Sequence, residues 1–374
     1  MCFVKKKIRT RLCLIPVVEC CKILSSGNLE EITKLLTIRN KLMIEKIFTS
    51  LYRIEVPLVN SPLKGLNSYV IKAPERNLIV DTGWNRQECM DALQRGLNEL
   101  GVDLEKTDFF ITHMHQDHIG LLPRLASHTA KVYFSEPDAE RFRDGYRFQD
   151  SIDFACANGF PEEEIKSVRK RFPSARSGFD IYSHFTIVKE GDAIEAGEYH
   201  FHCIETPGHT RGHMCLYEPG KKILIAGDHI LGTITPNITA WADDRNPLEE
   251  YLKSLDKISA YTVELVLPGH RDLISDCEER IQELKQHHRD RAEEVIAILK
   301  DGSQSAFQVA SQISRDIIYD SWEQLSVWQK WFATGEALAH LKYLKEKGVV
   351  KRETQGKKII FFLNRDVSYT PGRP

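Results

Sequence analysis

The sequence predicts an α+β protein in two parts, on three observations. Short apolar runs of strand length alternate with amphipathic helical stretches from Phe48 onward. Several of those runs end beside histidine or aspartate residues, which is how the edge of a sheet gathers a site. Finally, 374 residues exceed the usual size of one hydrophobic core. From residue 291 the pattern changes to helices followed by a hairpin, which divides the chain into an extension (1–42), a main domain (43–290) and a small C-terminal domain (291–374).

In the extension, Lys5, Lys6, Lys7, Arg9 and Arg11 precede an apolar run and so imitate a signal peptide. That run is short, contains Pro16, ends at Glu19 and lacks a small-residue cleavage site. The expectation is a cytoplasmic protein whose natural start is Met43, with residues 1–42 a poorly ordered or mis-assigned extension. Strands are then expected at 51–56, 67–72 and 77–80, the last delivering Asp81-Thr82-Gly83. A helix over 86–100 stops at Gly101, and a strand over 108–111 leads into Thr112-His-Met-His-Gln-Asp-His-Ile-Gly120. Another strand is expected at 131–134. Residues 136–180 read as a helical insert with Phe142, Tyr146, Phe148, Phe154 and Phe160, serving equally well as a lid or as additional core. Strands at 185–188, 199–205, 214–217, 223–226 and 265–267 complete the main domain.

Residues 112–120 carry the chemistry. In an extended segment, residues two apart point the same way, so His113 and His115 can face one cation. Asp117 and His118, after the chain turns, can reach a second. Imidazole and carboxylate suit borderline divalent ions such as zinc. Four side chains cannot complete two coordination spheres, and His209, Asp228 and His270 at later strand ends supply the remainder.

The motif set Val-Asp81-Thr-Gly, His113-x-His115-x-Asp117-His118, Thr-Pro-Gly-His209, Ala-Gly-Asp228 and Pro-Gly-His270 resembles that of the metallo-β-lactamase-fold hydrolases. The resemblance spans residues 48–290 and implies an αββα sandwich with a dinuclear site at one edge. It implies that His113, His115 and His209 hold one ion, that Asp117, His118 and His270 hold the other, and that Asp228 bridges them. Two divalent ions, zinc foremost with iron or manganese as alternatives, would then share a hydroxide as nucleophile. Asp81 would orient a ligand histidine, so that Asp81, Asp117 and Asp228 are the carboxylates expected to serve catalysis. His213 is expected to be structural. His229 either touches substrate or caps its loop, and His287 and His288 are expected to be solvated.

The stretch Ile230 to Asn237 resembles a branch of the family with a C-terminal winged helix, which residues 291–365 fit in order. That branch includes an endoribonuclease and thioesterases of the glyoxalase II type. From Arg291 onward Lys and Arg number 13 against 10 Asp and Glu, so the surplus is modest, although Lys351, Arg352, Lys357 and Lys358 cluster on the expected wing. Trp322, Trp328, Trp331 and Phe332 point instead to packing against the hydrolase domain or a second subunit.

A net charge of -2 gives no general affinity for nucleic acid, no apolar run reaches 18 residues, and no CxxC pair occurs among nine cysteines. Reduced thiols and no membrane span are expected. The preferred reading is a hydrolase of a small ester, thioester or lactone; the alternatives are a nuclease cutting single-stranded RNA and a metabolite- or nucleic-acid-binding regulator with a vestigial site.

Overall fold

The computed structural model describes residues 44–143, 148–165, 185–314 and 321–366, with side chains 142–143 and 148–149 excepted. The extension 1–42 and the side chains of Phe142, Tyr146 and Phe148 lie outside these residues. Two sheets form the main body. The first has seven strands in chain order, β1 (Ile44–Phe48), β2 (Leu51–Pro57), β3 (Gly65–Ile71), β4 (Asn77–Val80), β5 (Thr107–Phe110), β6 (Val132–Ser135) and β7 (Thr186–Val188). It is antiparallel from β1 to β4 and parallel from β4 to β7. The second, ordered β12-β11-β10-β9-β8, comprises β8 (Ala193–Ala196), β9 (Tyr199–Glu205), β10 (Met214–Glu218), β11 (Ile223–Gly227) and β12 (Leu265–Pro268). Strands β1 and β8 escape the sequence reading: both are short, partly exposed strands at the edges of their sheets.

Side-chain alternation shows how the layers form. Tyr69, Ile71 and Phe110 point into the core between the sheets, where Phe201, Met214, Leu216, Ile225 and Leu267 meet them. Their neighbours Val70 and Phe109 point outward to Leu93 and Leu97 of helix α1 (Gln87–Glu99). Likewise Cys215, Leu224 and Val266 point outward from the second sheet to Leu255 and Ile258 of α6 (Pro247–Ser259) and Ile281 of α7 (Cys277–Lys300). Strand 77–80, buried on both faces, reads as a continuous apolar run, whereas 199–205 alternates buried and exposed residues from Tyr199 to Cys203; both signals locate the strand to the residue. The result is an αββα sandwich.

Between β5 and β7 lie α2 (Gln116–Ile119), α3 (Leu122–Leu125), α4 (Glu136–Arg143) and α5 (Phe148–Ala157). Helix α2 already contains Asp117 and His118, so it begins earlier than the helix that Ile119-Gly-Leu-Leu122 leads the sequence to suggest. The C-terminal part consists of α8 (Ala306–Gln312), α9 (Val327–Glu346) and the hairpin β13 (Val350–Gln355) and β14 (Lys358–Leu363). Both α8 and α9 start in capping boxes, Ser305 with Gln308 and Ser326 with Gln329. Helix α7 runs unbroken through positions 290 and 291, so the two parts share a helix and a continuous core.

Two expectations change here. His288 is buried rather than solvated, and its Nδ1 lies 3.2 Å from His340 Nε2 across the α7–α9 contact. Of the insert aromatics, Phe160 packs edge-on against Trp331, and Phe154 packs against the core shared with the C-terminal part. For these two the role is packing. Among the described residues, Cys89, Cys156, Cys203, Cys215 and Cys277 are free thiols, and no helix is long and apolar enough to cross a membrane.

Candidate metal centre

The seven expected donors converge at one edge of the sandwich, on the loops that leave β5, β9, β11 and β12. They form three overlapping groups, His113 with His115 and His209, His113 with His118 and Asp228, and Asp117 with His118 and His270; within each, the donor atoms lie no more than 4.8 Å apart. Asp228 stands between two of the groups. Its Oδ2 is 3.5 Å from His209 Nε2, while its Oδ1 is 3.5 Å from His118 Nε2 and 3.4 Å from His270 Nε2. Asp117 Oδ2 lies 3.4 Å from the same His270 nitrogen.

Four of the five donor rings are held by their far side. His118 Nδ1 donates to Asp81 Oδ2 at 2.7 Å, His209 Nδ1 to the Asn237 carbonyl at 2.9 Å and His270 Nδ1 to the Gly65 carbonyl at 2.7 Å. Thr112 Oγ1 gives its proton to Asp81 Oδ2 at 2.8 Å and therefore accepts from His113 Nδ1 at 3.0 Å. In all four rings the outer partner engages Nδ1, which turns Nε2 inward as the nitrogen free to face a cation. On the neutral rings of His113 and His209 that Nε2 is a lone pair, and each lies 2.9 Å from His115 Nδ1. A single ring proton on His115 satisfies only one of them. His118 Nε2, His270 Nε2 and Asp228 Oδ1 are buried with no hydrogen-bond partner. Buried lone pairs crowded in this way are costly unless a cation accepts them, so the donor set fits divalent metal.

The ionisation behaviour agrees with a site built around concentrated charge. Burial pushes His113 well below the usual imidazole range, assisted by His118, His115 and His209. Burial also takes His115 down to about 3, with His209 adding to the effect. Against the opposing effect of burial, the Asp228 carboxylate and Asp117 raise His270 to about 10. Burial likewise opposes ionisation of Asp228, but His270 and His118 hold it well below the carboxylate range.

Supporting residues beyond the donors emerge only from the fold. Asp138, on α4 and fully buried, accepts from Met114 N at 2.9 Å, Thr210 Oγ1 at 2.9 Å and Gly212 N at 2.8 Å. One carboxylate thus ties the 113–115 loop to the 209–213 loop, and burial raises its own pKa. An isolated acid 20 residues past the motif carries no spacing signal. Asn67 Nδ2 donates to the carbonyls of Pro268 and Arg271, and Tyr69 Oη to Pro268, so that β3 of the first sheet anchors the loop bearing His270.

His213 is structural, as expected: its Nε2 accepts from Asp228 N at 3.1 Å and its Nδ1 donates to Thr206 Oγ1 at 2.8 Å. A Cβ at Gly227, where φ is +48°, would lie 2.8 Å from that same Nε2, so glycine is required immediately before Asp228. His229 is fully buried, its ring edge-on to that of Tyr251 with centroids 5.3 Å apart. Its carbonyl accepts from Tyr251 Oη at 3.0 Å.

Fold and donor set together define a metal-dependent hydrolase of the αββα type. The metallo-beta-lactamase superfamily profile matches residues 63–270, and that of the metallo-beta-lactamase-like C-terminal domain matches residues 293–365, so the chain belongs to the metallo-beta-lactamase superfamily. It is similar to the Probable metallo-hydrolase YqjP of Bacillus subtilis (strain 168), 24% identical over 308 residues that cover 78% of this chain and 92% of the relative. The Atrochrysone carboxyl ACP thioesterase nsrC of Aspergillus novofumigatus is 24% identical over 223 residues, 59% of this chain and 53% of its own. Among solved structures, a metallo-beta-lactamase family protein from Thermus thermophilus superposes with a TM-score of 0.71 at 29% identity, covering 85% of this chain and 100% of that one. Homologues named as metallo-hydrolase and thioesterase agree that this is a hydrolase.

Proposed function

We propose that this protein is a dinuclear hydrolase of small esters, thioesters or lactones. His113, His115 and His209 would hold one divalent ion, Asp117, His118 and His270 the other, and Asp228 would reach both through its two oxygens. The observation that carries this reading is the inward convergence of the Nε2 atoms with every Nδ1 of His113, His118, His209 and His270 already engaged. Bound cations supply an acidified water and a Lewis acid for the substrate carbonyl. The chain's own part is to orient. Asp81 fixes His118 and, through Thr112, His113; Asn237 and Gly65 fix His209 and His270.

Zinc is the metal proposed, since three imidazoles on one ion suit it, and cytoplasmic action on a small molecule is the setting proposed. The name of the thioesterase relative supports a thioester among the substrates. A nuclease reading gains little from the hairpin: Arg352 is held in a bidentate pair by Asp243, and Lys351 Nζ lies 3.2 Å from Asp366. Of the four cations, that leaves Lys357 and Lys358, both exposed, as the basic surface of the hairpin.

The test is turnover of thioester, lactone and single-stranded RNA panels by zinc-loaded protein and by Asp228→Asn. Thioester or lactone turnover that collapses in the variant is the expected result. Equal rates in both proteins, or cleavage confined to RNA, would overturn the proposal.

A further inference from the structure

The loop that follows Asp228 supplies the acceptor for His209, and it is held from outside the hydrolase sandwich. Its Asn237 carbonyl accepts from His209 Nδ1 at 2.9 Å. Three residues on, Ala240 N donates to the Gly335 carbonyl of α9 at 3.0 Å. Trp241 then stacks on Trp331 of the same helix, ring centroids 3.9 Å apart and planes 15° from parallel. Farther along, Lys342 Nζ donates to the Asp243 carbonyl at 2.7 Å and Asn246 Nδ2 to Glu346 Oε2 at 2.6 Å.

The approach of α9 is close enough to dictate a residue. A Cβ at position 335 would sit 2.6 Å from the Trp241 ring and 2.8 Å from Thr239 Cβ, so only glycine lets the helix backbone meet the loop. Gly335 lies in mid-helix, where glycine costs about 1 kcal/mol relative to alanine in intrinsic propensity. The contact, not the helix, explains its presence. From the other side, Arg280 of α7 donates to the carbonyls of Leu231 and Ile234 at 2.6 and 3.0 Å, so the loop is fixed at both ends.

We infer that α9 is a positioning element for the metal centre: by gripping residues 239–241 it places the Asn237 carbonyl, and with it the tautomer and orientation of His209. This rests on the donor assignment proposed above. Trp331 and Gly335 are accordingly positioning residues, more than 60 positions from any donor in sequence. The C-terminal part thereby gains a role in hydrolysis that needs no substrate contact.

The experiment uses the full chain and reads metal binding rather than turnover. Zinc and cobalt(II) are titrated against a competing chelator in wild type, Gly335→Ala, Trp331→Ala, Trp331→Phe, His209→Ala and Leu344→Ala, the last removing core packing from α9 away from the loop. Supporting groups of ligand histidines typically change metal affinity roughly 10–100-fold. Gly335→Ala and Trp331→Ala are expected to weaken one ion by that factor, the same ion that His209→Ala loses, and to alter the cobalt spectrum in the same way. Trp331→Phe should retain both ions, as should Leu344→Ala despite a lower melting temperature. Wild type binding two ions while Gly335→Ala and Trp331→Ala bind both unchanged would overturn the inference alone. Wild type binding fewer than two would refute the donor assignment and the inference with it.

Discussion

Asp81 offers the sharpest test of how the centre is held. It is 2% exposed and accepts three hydrogen bonds, from Thr112 N on Oδ1 and from Thr112 Oγ1 and His118 Nδ1 on Oδ2. Its φ of +59° lies in the left-handed region, which asparagine tolerates well, so Asp81→Asn perturbs the acceptors without adding backbone strain. An amide has one oxygen. Placed toward Thr112 N it sets an NH2 against two donors; placed toward His118 it sets the NH2 against a backbone N–H. At least one buried donor is left unmade, costing about 1–3 kcal/mol. His118 either loses its acceptor in the first placement or exchanges a carboxylate for a neutral carbonyl in the second, so the affinity of the ion it is proposed to hold should fall roughly 10–100-fold. Thermal denaturation and chelator competition measure the two effects separately. A variant that melts with wild type and binds both ions at wild-type affinity would refute the assignment of Asp81 as the group orienting His118.

Two further outcomes follow from other residues. Asp138→Ala leaves Met114 N, Gly212 N and Thr210 Oγ1 without their acceptor, at about 1–3 kcal/mol for each group water cannot reach, so melting should fall by several degrees; an unchanged melting temperature would contradict the brace. Burial lowers His340 to about 4 from the ordinary 6.5, and holds His288 well below that ordinary value. The folded state therefore keeps both neutral while the unfolded chain takes up protons, so their contribution is complete above about pH 6.5, and that of His340 is lost as pH falls through about 4. For His340 alone the swing is roughly 3 kcal/mol, and His340→Gln should flatten stability against pH over that range when followed by denaturant unfolding.

Much of the site was legible because its chemistry is local in sequence. Imidazole and carboxylate at HxHxDH spacing and at four strand ends have few other uses, and strands buried on both faces announce themselves as apolar runs. The edge strands β1 and β8, the burial of His288 and the place where α2 begins were not legible, because each depends on which surface another element covers. The sequence by itself, through the resemblance its motifs carry, determined the sandwich and the class of reaction, and it named the seven side chains that converge at the sheet edge. Only the tertiary structure decided what holds the donors: Asp138 between two loops, the Gly65 and Asn237 carbonyls behind two histidines, and α9 behind Asn237. The reason is physical, since a ligand's type follows from its own atoms, whereas its orientation follows from acceptors that folding brings from 28 to 205 residues away.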